Sequence, residues 1–518
     1  MKSLFKTVVL ITFFSVITRI LGFLFRIYLS RAVGAEALGM YQVAYSIFGV
    51  LLTIVASGLP LIISRMTAGY RAKKENRKEG ALVAVALIFS IIISVVLCLI
   101  VFAFRSLFAK LFTDERCIQI LIVLLPSLIF SAVYSVFRGA LWGQNNYFAL
   151  CVSELYEQVV RIFVCVLLLG GTLSVIESAT SIAWSLTIAC IMSMLFVILL
   201  FFFYGGKVGK PTKKIFKPLV KQSTPITGIR VAGSFIQPLI ALIIPARLIA
   251  IGYTSSQAMA IYGVAVGMTV PLLFVPTTII GSLSTALIPD MSAAMAQNDK
   301  AHIEGRVRSS IIFSLFISCL FVPVYLALGE FAGIFLYDNA LSGTLLQASA
   351  WVLIPLGITN ITSALLNSLG LEVKSFINYV IGAVFMFAAL WVLPTLVGIN
   401  ALVYGMGISF VITALLNSIM LKRKIKVSLN ILKPLCLMVL LIVPSAALSG
   451  FIASLCAQFL PLFFTLAIGG CVGVASFVLL CAVFNVIDIH TFIVLAKSRF
   501  APKNTKTLSL RRLFFKKH

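Results

Sequence analysis

The amino-acid sequence predicts an all-α polytopic membrane protein of about fourteen transmembrane helices, arranged as two pseudo-symmetric six-helix lobes plus two C-terminal helices. Three observations carry that expectation. The 518 residues are 61% hydrophobic and only 11% charged, with a mean hydropathy of +1.13, whereas soluble chains carry roughly a quarter charged residues. A bilayer crossing needs roughly 20 apolar residues, and runs of that length recur from end to end with no segment between them long enough for a separate folded domain. The chain also repeats itself. Gly39-Met40-Tyr41 is echoed by Ala260-Ile261-Tyr262, Met66 and Glu79-Gly80 by Met291 and Glu304-Gly305, Phe108-Ala109 with Phe112 by Phe331-Ala332 with Phe335, and Leu141-Trp142-Gly143 by Ser368-Leu369-Gly370. The offset runs from 221 (Gly39 to Ala260) to 227 (Leu141 to Ser368).

Apolar runs, charge and Gly/Pro punctuation place the spans near 5–30, 40–68, 80–104, 117–140, 150–171, 181–204, 225–250, 258–289, 307–328, 345–367, 376–396, 401–421, 434–456 and 461–484. The first follows Lys2 and Lys6 as a signal peptide would. It is nevertheless long, contains Arg19 and Arg26, and lacks a small-residue cleavage site, so it is read as a retained helix. The domain reading is a first lobe over 1–206, a basic linker over 207–224, a second lobe over 225–425, two additional helices over 426–484 and a basic tail over 485–518. Each lobe has an even number of helices, so both enter the membrane with the same polarity, and the pseudo-axis lies along the membrane normal with a cavity between the lobes.

Charge sets the orientation. Basic residues crowd the loops after even-numbered spans: Arg71, Lys73, Lys74, Arg77 and Lys78; Lys207, Lys210, Lys213, Lys214, Lys217 and Lys221; Lys422, Arg423, Lys424 and Lys426. The opposite loops, around 172–180, 252–257, 330–343 and 458–461, have no Lys or Arg. Both termini are therefore expected on the cytoplasmic side of a bacterial plasma membrane. The tail, with Lys503, Lys506, Arg511, Arg512, Lys516 and Lys517, is expected beside anionic membrane lipids. A net charge of +26 distributed in this way marks topology and lipid contact, and no nucleic acid is expected as a partner.

Enzyme chemistry is not expected. The three histidines lie in loops or tail, there is no H-E-x-x-H or Walker loop, and the ten cysteines are scattered without a C-x-x-C pair, as small hydrophobes rather than metal ligands. No cofactor or metal is expected. With no nucleotide site, energy is expected from the membrane potential, H+ or Na+.

The first span carries the sharpest signal. Thr12, Ser15, Arg19, Gly22, Arg26 and Ser30 follow at intervals of three or four, which puts them on one helix face. An Arg at mid-membrane costs roughly 2.5–3.5 kcal/mol on insertion scales, so such residues face water, a partner or an anion. Guanidinium grips phosphate bidentately and stays charged, which makes Arg19 and Arg26, with Ser15, candidates for an anion site. The competing reading for Arg26 and Arg31 is snorkelling to headgroups. In the second half, Arg247 after Pro245 stands at the repeat position of Arg26, and Arg230 lies nearer the expected cytoplasmic end; both are further candidates. Pro245 and Pro271 suggest kinks beside a cavity. In the fifth span Glu157 and Arg161 are four apart, as for an ion pair that neutralises both, while Glu154 is a candidate for cation coupling. Arg138, Asn360 and Asn367 read as helix-end or packing positions.

The run Thr18-Arg19-Ile20-Leu21-Gly22-Phe23 with Arg26, followed by Gly34-Ala35-Glu36-Ala37-Leu38-Gly39-Met40-Tyr41-Gln42 and Ser57-Gly58-Leu59-Pro60, resembles the stage V sporulation protein B type of polysaccharide exporters. So do Arg138-Gly139, Gly143-Gln144, Glu157-Gln158 and Arg161, then Ile244-Pro245-Ala246-Arg247-Leu248 and Ser282-Leu283-Ser284-Thr285-Ala286-Leu287-Ile288-Pro289. The likeness covers nearly the whole chain and weakens in the last two helices and tail. It implies the MATE-like, V-shaped pair of six-helix lobes shared by drug antiporters and lipid II flippases. It also implies outward movement of an undecaprenyl-pyrophosphate-linked saccharide, a peptidoglycan or polysaccharide precursor, by alternating access. In lipid II flippases the first-helix arginine before Leu-Gly-Phe is a cavity residue, which Arg19 matches; their next arginine falls nearer that motif than Arg26 does. A monomer is expected, with cell-wall synthesis proteins as further partners. The rival readings are a MATE-type drug/cation antiporter, which needs cavity acids, and a non-transporting scaffold of cell-wall synthesis, in which Arg19 has no task. An intramembrane transferase or polymerase lacks a convergent set of acids or histidines.

Overall fold

The computed structural model describes residues 2–296, 300–425, 432–484 and 486. Lys426 and the basic residues of the tail lie outside them. Among the described residues every regular element is a helix. Contacts divide the chain into two compact units, Met1–Gly267 and Met268–His518. The first holds α1 (Lys2–Ala56), α2 (Leu59–Ala72), α3 (Asn76–Ala103), α4 (Arg105–Leu111), α5 (Cys117–Gly143), α6 (Tyr147–Leu168), α7 (Val175–Phe203), α8 (Lys213–Ser234), α9 (Ile236–Ala250) and α10 (Ser255–Tyr262). A π-helical turn, Gly263–Thr269, spans the boundary. The second unit continues through α11 (Val270–Leu273), α12 (Thr277–Ala296), α13 (Lys300–Tyr337), α14 (Ala340–Ser349), α15 (Leu353–Ser368), α16 (Glu372–Val392), α17 (Pro394–Val397), α18 (Asn400–Ile425), α19 (Leu432–Ala457) and α20 (Leu462–Val483).

Twelve stretches among the described residues are long and apolar enough to cross a membrane. The first, Leu10–Ala72, has 63 residues. As one straight helix it would measure about 95 Å, three times the ~30 Å hydrocarbon layer. It bends instead at Gly34, whose φ of 75° and ψ of 175° belong to a region that residues with a Cβ avoid, and so makes two crossings. α6, with 22 residues, is long enough for a further crossing and carries three charged residues, Glu154, Glu157 and Arg161. These account for the fourteen or so spans read from the sequence. Large apolar side chains on the outer faces, such as Leu199 and Phe203 of α7 and Leu440 and Val443 of α19, are exposed, as acyl chains require.

In the first unit α1 packs along α5, α6, α7, α8, α9 and α10. Its second half crosses α10 backbone to backbone. A Cβ on Gly39 would land on the Met259 carbonyl, and one on Gly263 would land on the Ala35 carbonyl and 2.7 Å from the Gly39 nitrogen. In the repeat Gly39 corresponds to Ala260, which lies between Met259 and Gly263, so the contact joins the two repeat-related segments. This crossing is where the repeat meets itself. Ancestry and packing therefore divide the chain differently: α8, α9 and α10, which the repeat assigns to the second half, are packed into the first unit.

A polar network sits beside the crossing. Arg116, before α5, donates to Asp114 (2.7 Å from Nη2, 3.0 Å from Nε) and to Glu36 just after the Gly34 bend (2.8 Å). Ser255 at the start of α10 donates to Asp114 at 3.1 Å. Burial alone would raise the Asp114 carboxyl, but the hydrogen bonds from Arg116 and Ser255 outweigh it and hold the group below its ordinary range. At the other end of the unit Gln144 donates to Glu79 (2.8 Å) and accepts at its carbonyl from Arg71 (3.4 Å). A core of Leu59, Ile62, Leu82, Ala86, Phe137, Phe201 and Leu219 binds α2, α3, α5, α7 and α8 there.

In the second unit buried amides join helices. Asn378 donates to Asn417 at 2.9 Å, and Asn417 donates to Thr362 at 3.3 Å and Ser363 at 3.0 Å, tying α16, α18 and α15. Pro271 cannot donate to a preceding carbonyl, and the helix is wound as the π turn just before it. The Tyr325 hydroxyl donates to the Leu272 carbonyl at 2.7 Å, beside the interruption that follows. Pro245, by contrast, lies inside continuous α9.

Two outcomes test this packing. Gly263→Leu forces the crossing apart and is expected to lower stability by at least the upper end of about 1–3 kcal/mol for overpacking, read as thermal unfolding in detergent. Gly49→Ala, where a Cβ meets nothing within 4 Å, is expected to leave it unchanged or raised. Because the folded Asp114 is more acidic than the unfolded, its contribution is complete above the unfolded value near 3.9 and is lost as pH falls through the folded value. Asp114→Asn is expected to flatten the acid limb of a pH–stability curve; an unchanged limb excludes this contribution.

Candidate anion site on the first helix

At 100° per residue, Gly22, Ser15, Arg26 and Arg19 fall within a sector of about 60° on α1. Arg19 and Arg26 are exposed and Ser15 is half-buried. Most exposed apolar side chains of the same helix, Phe13 (61%), Val16 (49%), Ile20 (54%) and Leu24 (53%), lie about 60–140° round from Arg19, with Ile11 (39%) on the other side of the stripe. The cationic stripe thus runs beside the main apolar face, with Ile11 on its other edge. On its other flank α1 meets α6: Phe14 makes an edge contact with Phe148 (6.0 Å between centroids), and a Cβ on Gly22 would stand 3.6 Å from the Gln158 amide nitrogen. Gly22 faces α6 at ordinary van der Waals distance, and Arg19 and Arg26 lie exposed on the same sector of α1.

Two of the charged residues of α6, Glu154 and Arg161, are partnered across helices. Glu154 forms an ion pair with Arg138 of α5. Arg161 reaches α1, where Nη2 donates to the Tyr41 hydroxyl at 3.2 Å and the guanidinium lies 5.3 Å from the Phe25 ring centroid. Its Nε is shielded without a hydrogen-bond partner. The Glu157–Arg161 ion pair suggested by their spacing is therefore not a contact pair among the described residues. Arg161 spends its length on α1, and Glu157 stands in the combined field of Arg161 and Arg138. Neighbours on one helix compete with partners on packed helices, and spacing cannot show the second set.

Arg230 of α8 has a different surrounding from the first-helix arginines. Its Nη1 donates to the Ser57 carbonyl at 2.5 Å, in the two-residue break between α1 and α2. A guanidinium there stands in for the peptide N–H that a continuing helix would supply. Arg247, on α9 after the buried Pro245, is half-buried. Both helices pack on α1, so Ser15, Arg19, Arg26, Arg230, Arg247, Glu154, Glu157 and Arg161 all belong to one unit. The pairing of Arg138 with Glu154, and the use of Phe25, Tyr41 and Gln158 between α1 and α6, are not legible from spacing. Their only advance signal is that Arg138, Tyr41 and Gln158 stand in the quoted motifs.

With the helical spans, the basic stripe and the duplicated crossing established, the chain is a multi-span membrane protein of the MATE-like fold. It belongs to the polysaccharide biosynthesis protein family, which it matches over residues 4–295. It is 26% identical over 460 residues to stage V sporulation protein B of Bacillus subtilis (strain 168), covering 86% of this chain and 87% of that one. A solved structure of the lipid II flippase MurJ in an inward closed conformation superposes with a TM-score of 0.68 at 16% identity, covering 92% of this chain and 98% of that one. An inward-facing multidrug resistance MATE family transporter gives 0.66 at 17% identity, with 79% and 94% covered. These likenesses agree with the family and fold read from the sequence.

The Arg138–Glu154 pair makes a measurable expectation. Both side chains are more than a third exposed (39% and 38%), so the coupling between Arg138→Gln and Glu154→Gln in a double-mutant cycle is expected at only about 0.2–1 kcal/mol. Thermal unfolding of the four proteins reads it, and strict additivity would show that the pair contributes nothing.

Proposed function

We propose that the protein is a flippase that carries an undecaprenyl-pyrophosphate-linked saccharide, a lipid II-like peptidoglycan or polysaccharide precursor, across the bacterial plasma membrane by alternating access. The observation that carries this reading is the Arg19–Arg26 stripe, exposed along one sector of α1 beside its main apolar face. Membership of the polysaccharide biosynthesis protein family supports it. A diphosphate needs fixed positive charge that survives at every working pH, and two guanidinium groups one helical stretch apart supply it. Arg19 is the principal grip, with Arg26 and Arg247 assisting and Ser15 donating a hydroxyl. Arg230, whose guanidinium already holds the Ser57 carbonyl, serves the α1–α2 joint first. The saccharide passes through water while the prenyl chain stays in lipid.

The Lys/Arg bias supports cytoplasmic termini, and the membrane potential, H+ or Na+ supplies the drive. The protein works as a monomer alongside cell-wall synthesis proteins. A drug/cation antiporter requires acids for its cargo; Glu154 is held by Arg138, and the Ser15–Arg26 stripe of α1 carries arginines and no acid, which favours the anionic substrate instead.

Reconstitution into liposomes with lipid II and competing undecaprenyl-linked sugars tests the proposal. Arg19→Ala is expected to slow flipping by about tenfold to a hundredfold, the range of a lost hydrogen bond to a charged group, and Arg19→Lys by less. Equal flipping by wild type and Arg19→Ala removes the role of Arg19. Complementation by an inserted Arg19→Ala protein would favour the scaffold.

A further inference from the structure

The basic stripe of α8 takes no part in the site above. Lys213, Lys217 and Lys221 recur every fourth residue and so rise along one face, with Lys214 beside them. Together with Pro218 and Gln222 they line a cavity of about 610 Å³, within the range of about 300–1,000 Å³ typical of small-molecule sites. All six are exposed.

The opposite face holds the helix in place. Ile215 and Leu219 are buried in the core of the first unit, and Phe216 makes an edge contact with Phe89 of α3 at 5.7 Å. The loop leading in is pinned where the Gly209 N–H donates to the Gly80 carbonyl at 2.9 Å. The stripe is therefore presented by a fixed helix rather than by a loose loop.

No Asp or Glu occurs between Glu177 and Asp290, and among the described residues none of the four lysines forms an ion pair. Four ammonium groups around one cavity repel each other, and only an anion relieves that repulsion. Position narrows the choice of anion. Lys213–Ala250 contains 38 residues, and about 20 of them suffice to cross the hydrocarbon. The lysine-bearing turns lie at the polar end of that length, so they stand at the level where phospholipid phosphates lie. We infer that the α8 groove binds the phosphate of an anionic phospholipid headgroup from the surrounding leaflet, separately from the substrate site on α1.

The test uses full-length protein in detergent, titrated with phosphatidylglycerol and with phosphatidylcholine of the same chains and followed by native mass spectrometry. Wild type is expected to prefer phosphatidylglycerol by about tenfold or more, and the preference is expected to shrink as salt rises. The variant K213Q/K214Q/K217Q/K221Q is expected to lose that preference, and the corresponding four Lys→Arg changes to keep it. If the fourfold glutamine variant does not insert, K217Q/K221Q is expected to show an intermediate loss. Retained preference in a folded glutamine variant overturns the inference, as does equal binding of the two lipids. Displacement of phosphatidylglycerol by inorganic pyrophosphate but not by glycerol phosphate also overturns it, because it would mark a diphosphate site. Flipping by the glutamine variant separates this from the reading of α1: unchanged flipping with lost lipid preference supports two distinct sites.

Discussion

Gly39 and Gly263 allow α1 and α10 to touch through their backbones, and most of the first unit is arranged by that contact. With α10 seated on α1, the chain on either side of it is constrained: α9 and α8 are drawn along α1, and Ser255 is brought to Asp114. The contact offers little apolar burial of its own because it has almost no side chains. Its stability comes from close van der Waals approach, which in lipid replaces the hydrophobic drive between helices, and from the Glu36–Arg116–Asp114–Ser255 network beside it. The same contact brings the helices of Arg230 and Arg247 against the helix of Arg19 and Arg26.

Charge inside this unit is handled in two ways. On α6 two of the three charged groups are met by a neighbour on another helix: Glu154 by Arg138, Arg161 by the tyrosine hydroxyl and ring of α1. On α1 the side chains of Arg19 and Arg26 are exposed on the sector where Gly22 faces Gln158 of α6. A membrane protein that buries and balances some of its arginines while presenting others has the means to hold an anionic cargo without becoming positively charged throughout.

Much of the fold is legible in the sequence because lipid imposes such strict rules. A run of roughly 20 apolar residues has few other uses, so the spans and the duplication can be read directly. What escapes that reading is local and conformational. The break at Gly34 falls where the first two spans, 5–30 and 40–68, are expected to part, but hydropathy does not show the positive-φ backbone that makes it. The carbonyl of Ser57 finds its donor 173 residues away on α8, a separation at which sequence patterns carry no information. The fifth span shows the limit most clearly: intrahelical spacing pairs Glu157 with Arg161, whereas the folded helix offers Arg161 a tyrosine and a phenyl ring on α1. The α1 stripe was readable because its periodicity lies within one element, and the same holds for α8.

The contact of Ala35 and Gly39 with Met259 and Gly263, in segments that the repeat relates, has an evolutionary consequence. After a duplication the two copies are usually free to drift apart, because each packs against its own surroundings. Here each copy forms the wall that the other must fit. A side chain gained by one would need room that only a change in its twin could provide, so this short stretch is expected to keep the memory of a shared ancestor longer than the rest of the chain.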